Sequence, residues 1–115
     1  MALTIGSITV DSTDPLPLAQ WWAERFGAAI TGTNDGWFVT VAGGSVPSQI
    51  AFQRVDAVTP GKNSWHLDLF ATDRVAEVER LLAAGATAVE EHTIGDFTWS
   101  VLADPQGNRF CVAPH

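Results

Sequence analysis

The residues best placed to do chemistry are His66 and Asp68, two positions apart in the run Trp65-His66-Leu67-Asp68-Leu69-Phe70. Side chains alternate between the faces of a strand, so His66, Asp68 and Phe70 share one face while Trp65, Leu67 and Leu69 take the other. An imidazole and a carboxylate side by side can move protons if burial and mutual attraction hold the imidazole near neutrality, or they can both hydrogen-bond a polar ligand. Plain solvent exposure is the alternative. Cys111 is the only thiol, and with Arg109 its one nearby cation it reads as a packing residue rather than a nucleophile. His92, beside a strand end, and His115, at the terminus, are given no role.

The elements that must position these groups follow from periodicity. Residues 3–10 are rich in β-branched side chains and predict a strand with Ser7 and Thr9 on one face. Asp14-Pro15 opens a helix, with Asp14 as N-cap and Pro15 where a missing N–H costs nothing, and Leu18, Trp22 and Phe26 form its buried stripe up to Gly27. Strands are expected over 28–31, 37–41 and 49–55, separated by turn formers that include Asp35-Gly36 and Gly43-Gly44. After a loop at Pro60-Gly61 comes the His66 strand. A helix capped by Asp73 and ended by Gly85 follows, carrying Val75, Val78, Leu81 and Leu82 inward and the pair Glu77 and Arg80 outward. Strands over 86–90, 97–103 and 108–113 close the chain, with Asp104-Pro105-Gln106-Gly107 as a turn.

The second half thus repeats the first. The helix caps are offset by 59 positions (73 less 14) and the helix-ending glycines by 58 (85 less 27). Ile50-Ala51-Phe52 falls on Phe110-Cys111-Val112 at an offset of 60 (110 less 50), and the opening strands are aligned with Ile5 opposite His66, an offset of 61 (66 less 5).

Composition bounds the function. A chain of 115 residues with 46% hydrophobic side chains supports one cored domain. The balance of 6 basic against 13 acidic residues, a formal net charge of −7, with the cations scattered, leaves no surface for nucleic acid. No apolar run reaches membrane-spanning length and a single cysteine forms no intrachain disulfide, so a cytoplasmic location is expected.

The tandem repeat, with Val10-Asp11-Ser12-Thr13-Asp14-Pro15, Phe52-Gln53-Arg54-Val55, Pro60-Gly61-Lys62-Asn63, His66-Leu67-Asp68-Leu69 and the run from Leu102 to Val112, resembles the vicinal oxygen chelate superfamily, in its glyoxalase-like and bleomycin-resistance-like branch. The resemblance implies an α+β fold of two tandem βαβββ modules, about 1–56 and 63–115 of a single domain, whose sheets enclose a small-molecule cavity. A ferredoxin-like fold, with four strands instead of eight, is the architectural alternative. Metal-dependent members place four ligands on the first, fourth, fifth and eighth strands; carried over, these positions fall on Ile5, Ala51, His66 and Cys111. Two of the four have no donor, so no metal and no cofactor is expected, and glyoxalase I activity is not.

On this reading the cavity is lined by Ser7, Thr9, Gln49, Gln53, His66, Asp68, Phe70, Arg109 and Cys111, an apolar floor with a few hydrogen-bonding groups. Trp37 and Trp99, at comparable places on the third and seventh strands, are candidates to stack on a planar ligand. Trp22 belongs to the core, and Trp21 and Trp65 are candidates for a homodimer contact. The function implied is binding of a small organic molecule. The alternative is an isomerase, lyase or cyclase in which His66 and Asp68 are catalytic.

Overall fold

The computed structural model describes residues 6–58 and 65–114. Its chain divides into two compact units, Met1–Thr59 and Pro60–His115. Each has a four-stranded sheet and one principal helix: β1 Ile8–Ser12, α1 Pro15–Phe26, β2 Ala29–Gly32, β3 Phe38–Ala42 and β4 Gln49–Arg54 in the first, then β5 Leu67–Ala71, α2 Arg74–Ala83, β6 Thr87–Ile94, β7 Phe97–Ala103 and β8 Arg109–Pro114 in the second. The strand orders are β1-β4-β3-β2 and β5-β8-β7-β6. In both units the helix carries the chain from one edge of the sheet to the other, and a meander returns it until the last strand pairs parallel with the first. Two βαβββ modules with eight strands settle the fold class as α+β and dispose of the four-stranded alternative.

In the first unit the face toward α1 is dry. Val10, Val39, Val41, Ile50 and Phe52 are buried there against Leu18 and Trp22, whose ring stacks on Phe26 at 5.4 Å. Pro15 takes the first helical position as expected, but Asp14 makes no side-chain capping bond. The hydroxyl of Ser12 instead accepts from the Asp14 N–H at 3.0 Å. Gly27 closes the helix at φ 61°, a left-handed conformation that favours glycine. Gly44 is needed for a second reason: a Cβ there would lie 2.2 Å from the Phe26 carbonyl oxygen, so the β3–β4 connection can lie against the helix end only without a side chain.

The second unit is more loosely covered. Asp73 caps α2 by accepting from the Ala76 N–H at 3.1 Å. Leu81 is the buried residue of that helix, while Val75 is 56% exposed. An extra residue at Val89 interrupts the β6–β7 register and accompanies a hollow of about 310 Å³ between α2 and the sheet, lined by Val78, Ala88, Val89 and Leu102 among others. Arg74 ties the start of α2 to the sheet, donating to the Ser100 hydroxyl at 2.7 Å and approaching Glu91 at 3.5 Å.

Three expectations change. β1 runs on through Asp11 and Ser12, which pair with Gln53 and Arg54 instead of forming a turn. β6 extends to Ile94, four residues past the expected end. The residue-level alignment of the halves also shifts: Ile8–Ser12 and Leu67–Ala71 are offset by 59 (67 less 8), and Gln49–Arg54 and Arg109–Pro114 by 60 (109 less 49). The gap between first strand and helix is the same length in both units, so the counterpart of His66 is Ser7, not Ile5. Ile5, residues 3–5 of the expected first strand, the loop 60–63 and His115 lie outside the described residues.

Candidate functional site

The parallel pairing of β5 with β8 sets Asp68 opposite Cys111 and Phe70 opposite Ala113. Residues directly opposite across a ladder share a face, and alternation adds His66 and Arg109 to the same side. The other side carries Leu67, Leu69, Phe110 and Val112, which turn away from water. β7 and β6 extend the first face with Val101 and Trp99, and with Glu90 and His92 opposite them. One surface of the second sheet therefore carries nearly all the titratable and aromatic groups of interest in that unit.

At its centre His66 Nε2 lies 3.2 Å from Cys111 Sγ and 3.6 Å from Asp68 Oδ1. The donor atoms of His66, Asp68 and Cys111 all lie within 4.8 Å of one another. His66 and Asp68 are exposed and Cys111 is half-buried. Burial, and after it the negative charge of Asp68, push the Cys111 thiol above its ordinary pKa, which keeps it protonated at neutral pH. A relay of the nucleophile–base–acid kind needs both ring nitrogens of the imidazole, one for each partner. Here the same nitrogen meets both sulfur and carboxylate, so the trio is not built to activate Cys111 as a nucleophile.

A second cluster lies on β6 and β7. His92 Nε2 is 2.6 Å from Glu90 Oε2, and the His92 ring stacks on Trp99 with centroids 5.1 Å apart. Phe97 flanks Trp99 at 5.7 Å. The sequence gives His92 no role because the expected strand stops at Glu90, two residues short of it. The signal was available: Gly95-Asp96 is a two-residue hairpin turn, and counting back from it places His92 across from Trp99.

The residues named in the first half form a separate group. Ser7, Thr9, Gln49 and Gln53 lie on the sheet face that also carries Ala51, with Gln49 donating to the Ser7 hydroxyl at 3.3 Å. Trp37 stands outside β3, just after the turn 34–36, and is 54% exposed with its ring tilted against Phe38. The pairings Thr40 with Ala51 and Val101 with Cys111 make Phe38 the counterpart of Trp99. Trp37 and Trp99 are thus not equivalent, which corrects the expected pair of stacking walls.

The four-strand chelate implied by the resemblance does not fit these side chains. With the corrected register its positions fall on Ser7, Ala51, His66 and Cys111, and Ala51 is fully buried with no donor to offer. Among the described residues, three candidate donors come together in a different set, in which Asp68 joins His66 and Cys111.

Comparison with known proteins comes to the same architecture. The glyoxalase-like domain profile matches residues 7–113. Among solved structures, the chain is similar to a genomically encoded fosfomycin resistance protein from Listeria monocytogenes, with a TM-score of 0.76 at 15% identity over 100% of this chain and 95% of that one. It is similar to a glyoxalase/bleomycin resistance protein/dioxygenase family enzyme from Burkholderia phytofirmans PsJN, with a TM-score of 0.73 at 18% identity over 95% and 96% of the two chains. A glyoxalase-related enzyme from Fulvimarina pelagi gives 0.70 at 22% identity over 97% and 88%. No curated protein matches. Among the described residues, no helix is long and apolar enough to cross a membrane.

Proposed function

The chain belongs to the glyoxalase-like domain family of the vicinal oxygen chelate superfamily, and from that premise we propose that it binds a small organic molecule on the sheet face of its second unit. The ligand class is a planar or aromatic compound bearing a polar or anionic group. The observation that carries the reading is the meeting, on one face of four adjacent strands, of aromatic rings (Phe70, 66% exposed, and Trp99) with the hydrogen-bonding groups of His66, Asp68 and Arg109. Rings supply contact area at little conformational cost, and a few polar groups fix orientation. The four-strand chelate of metal-dependent relatives takes no part in this reading. Ser7, Thr9, Gln49 and Gln53 are second candidates for ligand contact, in the first unit.

Titration of intrinsic tryptophan fluorescence against a panel of aromatic acids and antibiotics, fosfomycin included, tests it. At least one compound quenches or shifts the emission, and Trp99→Phe removes most of that response. Silence from the whole panel, or a response undiminished in the variant, overturns the reading.

A second reading, an isomerase, lyase or cyclase using His66 and Asp68 for proton transfer, is favoured by the open imidazole 3.6 Å from a carboxylate. On that reading His66→Ala abolishes turnover of the bound compound while affinity stays within about tenfold; equal loss of both supports binding alone. The proposal also takes the protein as a cytoplasmic homodimer. Trp21, half-buried with the Arg25 guanidinium 5.1 Å from its ring centroid, is a candidate contact, and light scattering of the purified protein reads the mass directly.

A further inference from the structure

We infer that the hollow between α2 and its sheet is a second small-molecule site, which takes a neutral fused-ring aromatic compound of about the size of indole. It lies on the opposite face of the sheet from the ligand surface proposed above, since Ser100 and Leu102 alternate with Trp99 and Val101 along β7.

The first unit shows what is missing there. α1 packs on all four strands of its sheet, whereas α2 packs chiefly on β5 and β8. The two helices begin at matching places, Pro15 and Arg74, an offset of 59 (74 less 15). Ala19 therefore maps onto Val78, Trp22 onto Leu81, and Phe26 onto Gly85, past the end of α2 at Ala83. In the first unit the Trp22 and Phe26 rings stack with centroids 5.4 Å apart. At the same two places the second unit has an isobutyl group and no side chain at all.

The sheet does not make up the loss. The buried Val39 and Val41 correspond to Ser100 and Leu102, and Ile30, opposite Val41, corresponds to Ala88, opposite Leu102. Val78 and Leu102 outgrow Ala19 and Val41 by a few carbons, far less than an indole and a phenyl ring. What remains is the hollow of about 310 Å³, roughly twice the ~150 Å³ of an apolar cavity that takes up benzene.

Its walls select the chemistry. Leu102 and Ser100 form a buried floor, while Ala88 and Glu91 are exposed at the rim, so a ligand can enter. The charge at this end, the Arg74 guanidinium, is already met by the Ser100 hydroxyl at 2.7 Å and by Glu91 at 3.5 Å. An ionic ligand has to displace that pairing and a neutral one does not. A ring seated against Val78, Val89 and Leu102 buries apolar area, and a ring N–H pointing outward meets the Glu91 carboxylate.

Indole itself is the probe. In carbon–proton correlation spectra of the methyl-labelled full chain, indole should shift the Val78, Val89 and Leu102 methyl signals saturably and leave the Trp99 side-chain N–H in place. Ala88→Ile, which restores the first unit's residue, and Val78→Phe should each weaken indole by at least about tenfold. Both should also raise the thermal midpoint, because they fill the space with protein, whereas damage to the fold would lower it. Indole-3-acetate, the anionic analogue, should bind more weakly than indole. Still methyl signals overturn the proposal, as does unchanged affinity in both filled variants. Movement of the Trp99 N–H with the methyls unmoved puts the ring on the other face and overturns it too. The two sites lie on opposite faces and are read by different signals, so failure of the binding reading leaves this one standing, and the reverse.

Discussion

The two units share one scaffold and differ in what they mount on it. Strand order, pairing directions and the parallel closure are the same, and position maps onto position: Ser7 on His66, Thr9 on Asp68, Ala51 on Cys111, Phe38 on Trp99. At those places the first unit offers two hydroxyls, a methyl and a phenyl ring, while the second offers an imidazole, a carboxylate, a thiol and an indole. Their coverings differ in the opposite sense. α1 buries Pro15, Leu18, Ala19, Trp22 and Ala23, whereas α2 buries Leu81 and leaves a hollow beside it. The comparison teaches that one half is weighted toward packing and the other toward chemistry. A duplicated backbone allows this, because the fold is specified by which residues face the helix and is nearly indifferent to those on the opposite face.

The widest gap between the halves should appear in stability. Trp22→Ala, which empties the α1 core, should lower the unfolding free energy by about 3–5 kcal/mol, and Leu81→Ala by about 2 kcal/mol, the low end for its type, because α2 can collapse into the adjacent hollow. Urea denaturation of both variants measures the difference; equal losses would break the asymmetry. The two strand connections come next. Asp104, buried between β7 and β8, accepts from the Gln106 and Asn108 N–H groups at 2.9 Å each and from the Asn108 amide at 3.0 and 3.1 Å. Asp104→Ala should cost about 1–3 kcal/mol by orphaning those donors. In the first unit the corresponding connection depends on Gly44, and Gly44→Ala should cost more than Gly27→Ala, whose Cβ meets nothing and whose left-handed φ alone is worth about 1–2 kcal/mol.

Much of this was legible beforehand. The helix starts, the helix-ending glycines and the repeat are written in local chemistry that depends on few partners, so Pro15, Gly27 and Asp73 sit where their types require. The register of β1 was not legible. Asp11, Ser12 and Thr13 have the side chains of a turn, yet parallel pairing with β4 takes in the first two, and Ser12 is buried where its hydroxyl can serve the helix start. That misplacement moved the counterpart of His66 by two positions. The His66–Asp68–Cys111 cluster was half legible. Alternation gave the shared face of His66 and Asp68, but bringing Cys111 alongside needs the β5–β8 pairing across more than forty positions, which no local pattern encodes. His92 was missed because the end of β6 is fixed by pairing with β7 and not by its own polar sequence, Glu90-Glu91-His92.

Ligand binding sharpens the comparison at smaller scale. Trp99→Ala should weaken the responding compound by about tenfold, the worth of a good aromatic contact, while Phe38→Ala, at the matching place in the first unit, should leave affinity unchanged; calorimetric titration of both decides it. The smallest effect concerns Cys111. Asp68→Asn removes the second of the two causes that raise the thiol pKa, so the profile of alkylation rate against pH should move to lower pH and the rate at a fixed mildly alkaline pH should rise. An unmoved profile would show that the carboxylate charge does not reach the sulfur.

The most direct test of where function resides is a set of proton–nitrogen correlation spectra of the labelled chain, recorded as the compound that responds in fluorescence is added. The account predicts that the shifted amides cluster at residues 66–70, 90–92, 99–101 and 109–113, with residues 7–11 and 49–53 quiet. Shifts confined to the first-unit segments would contradict it.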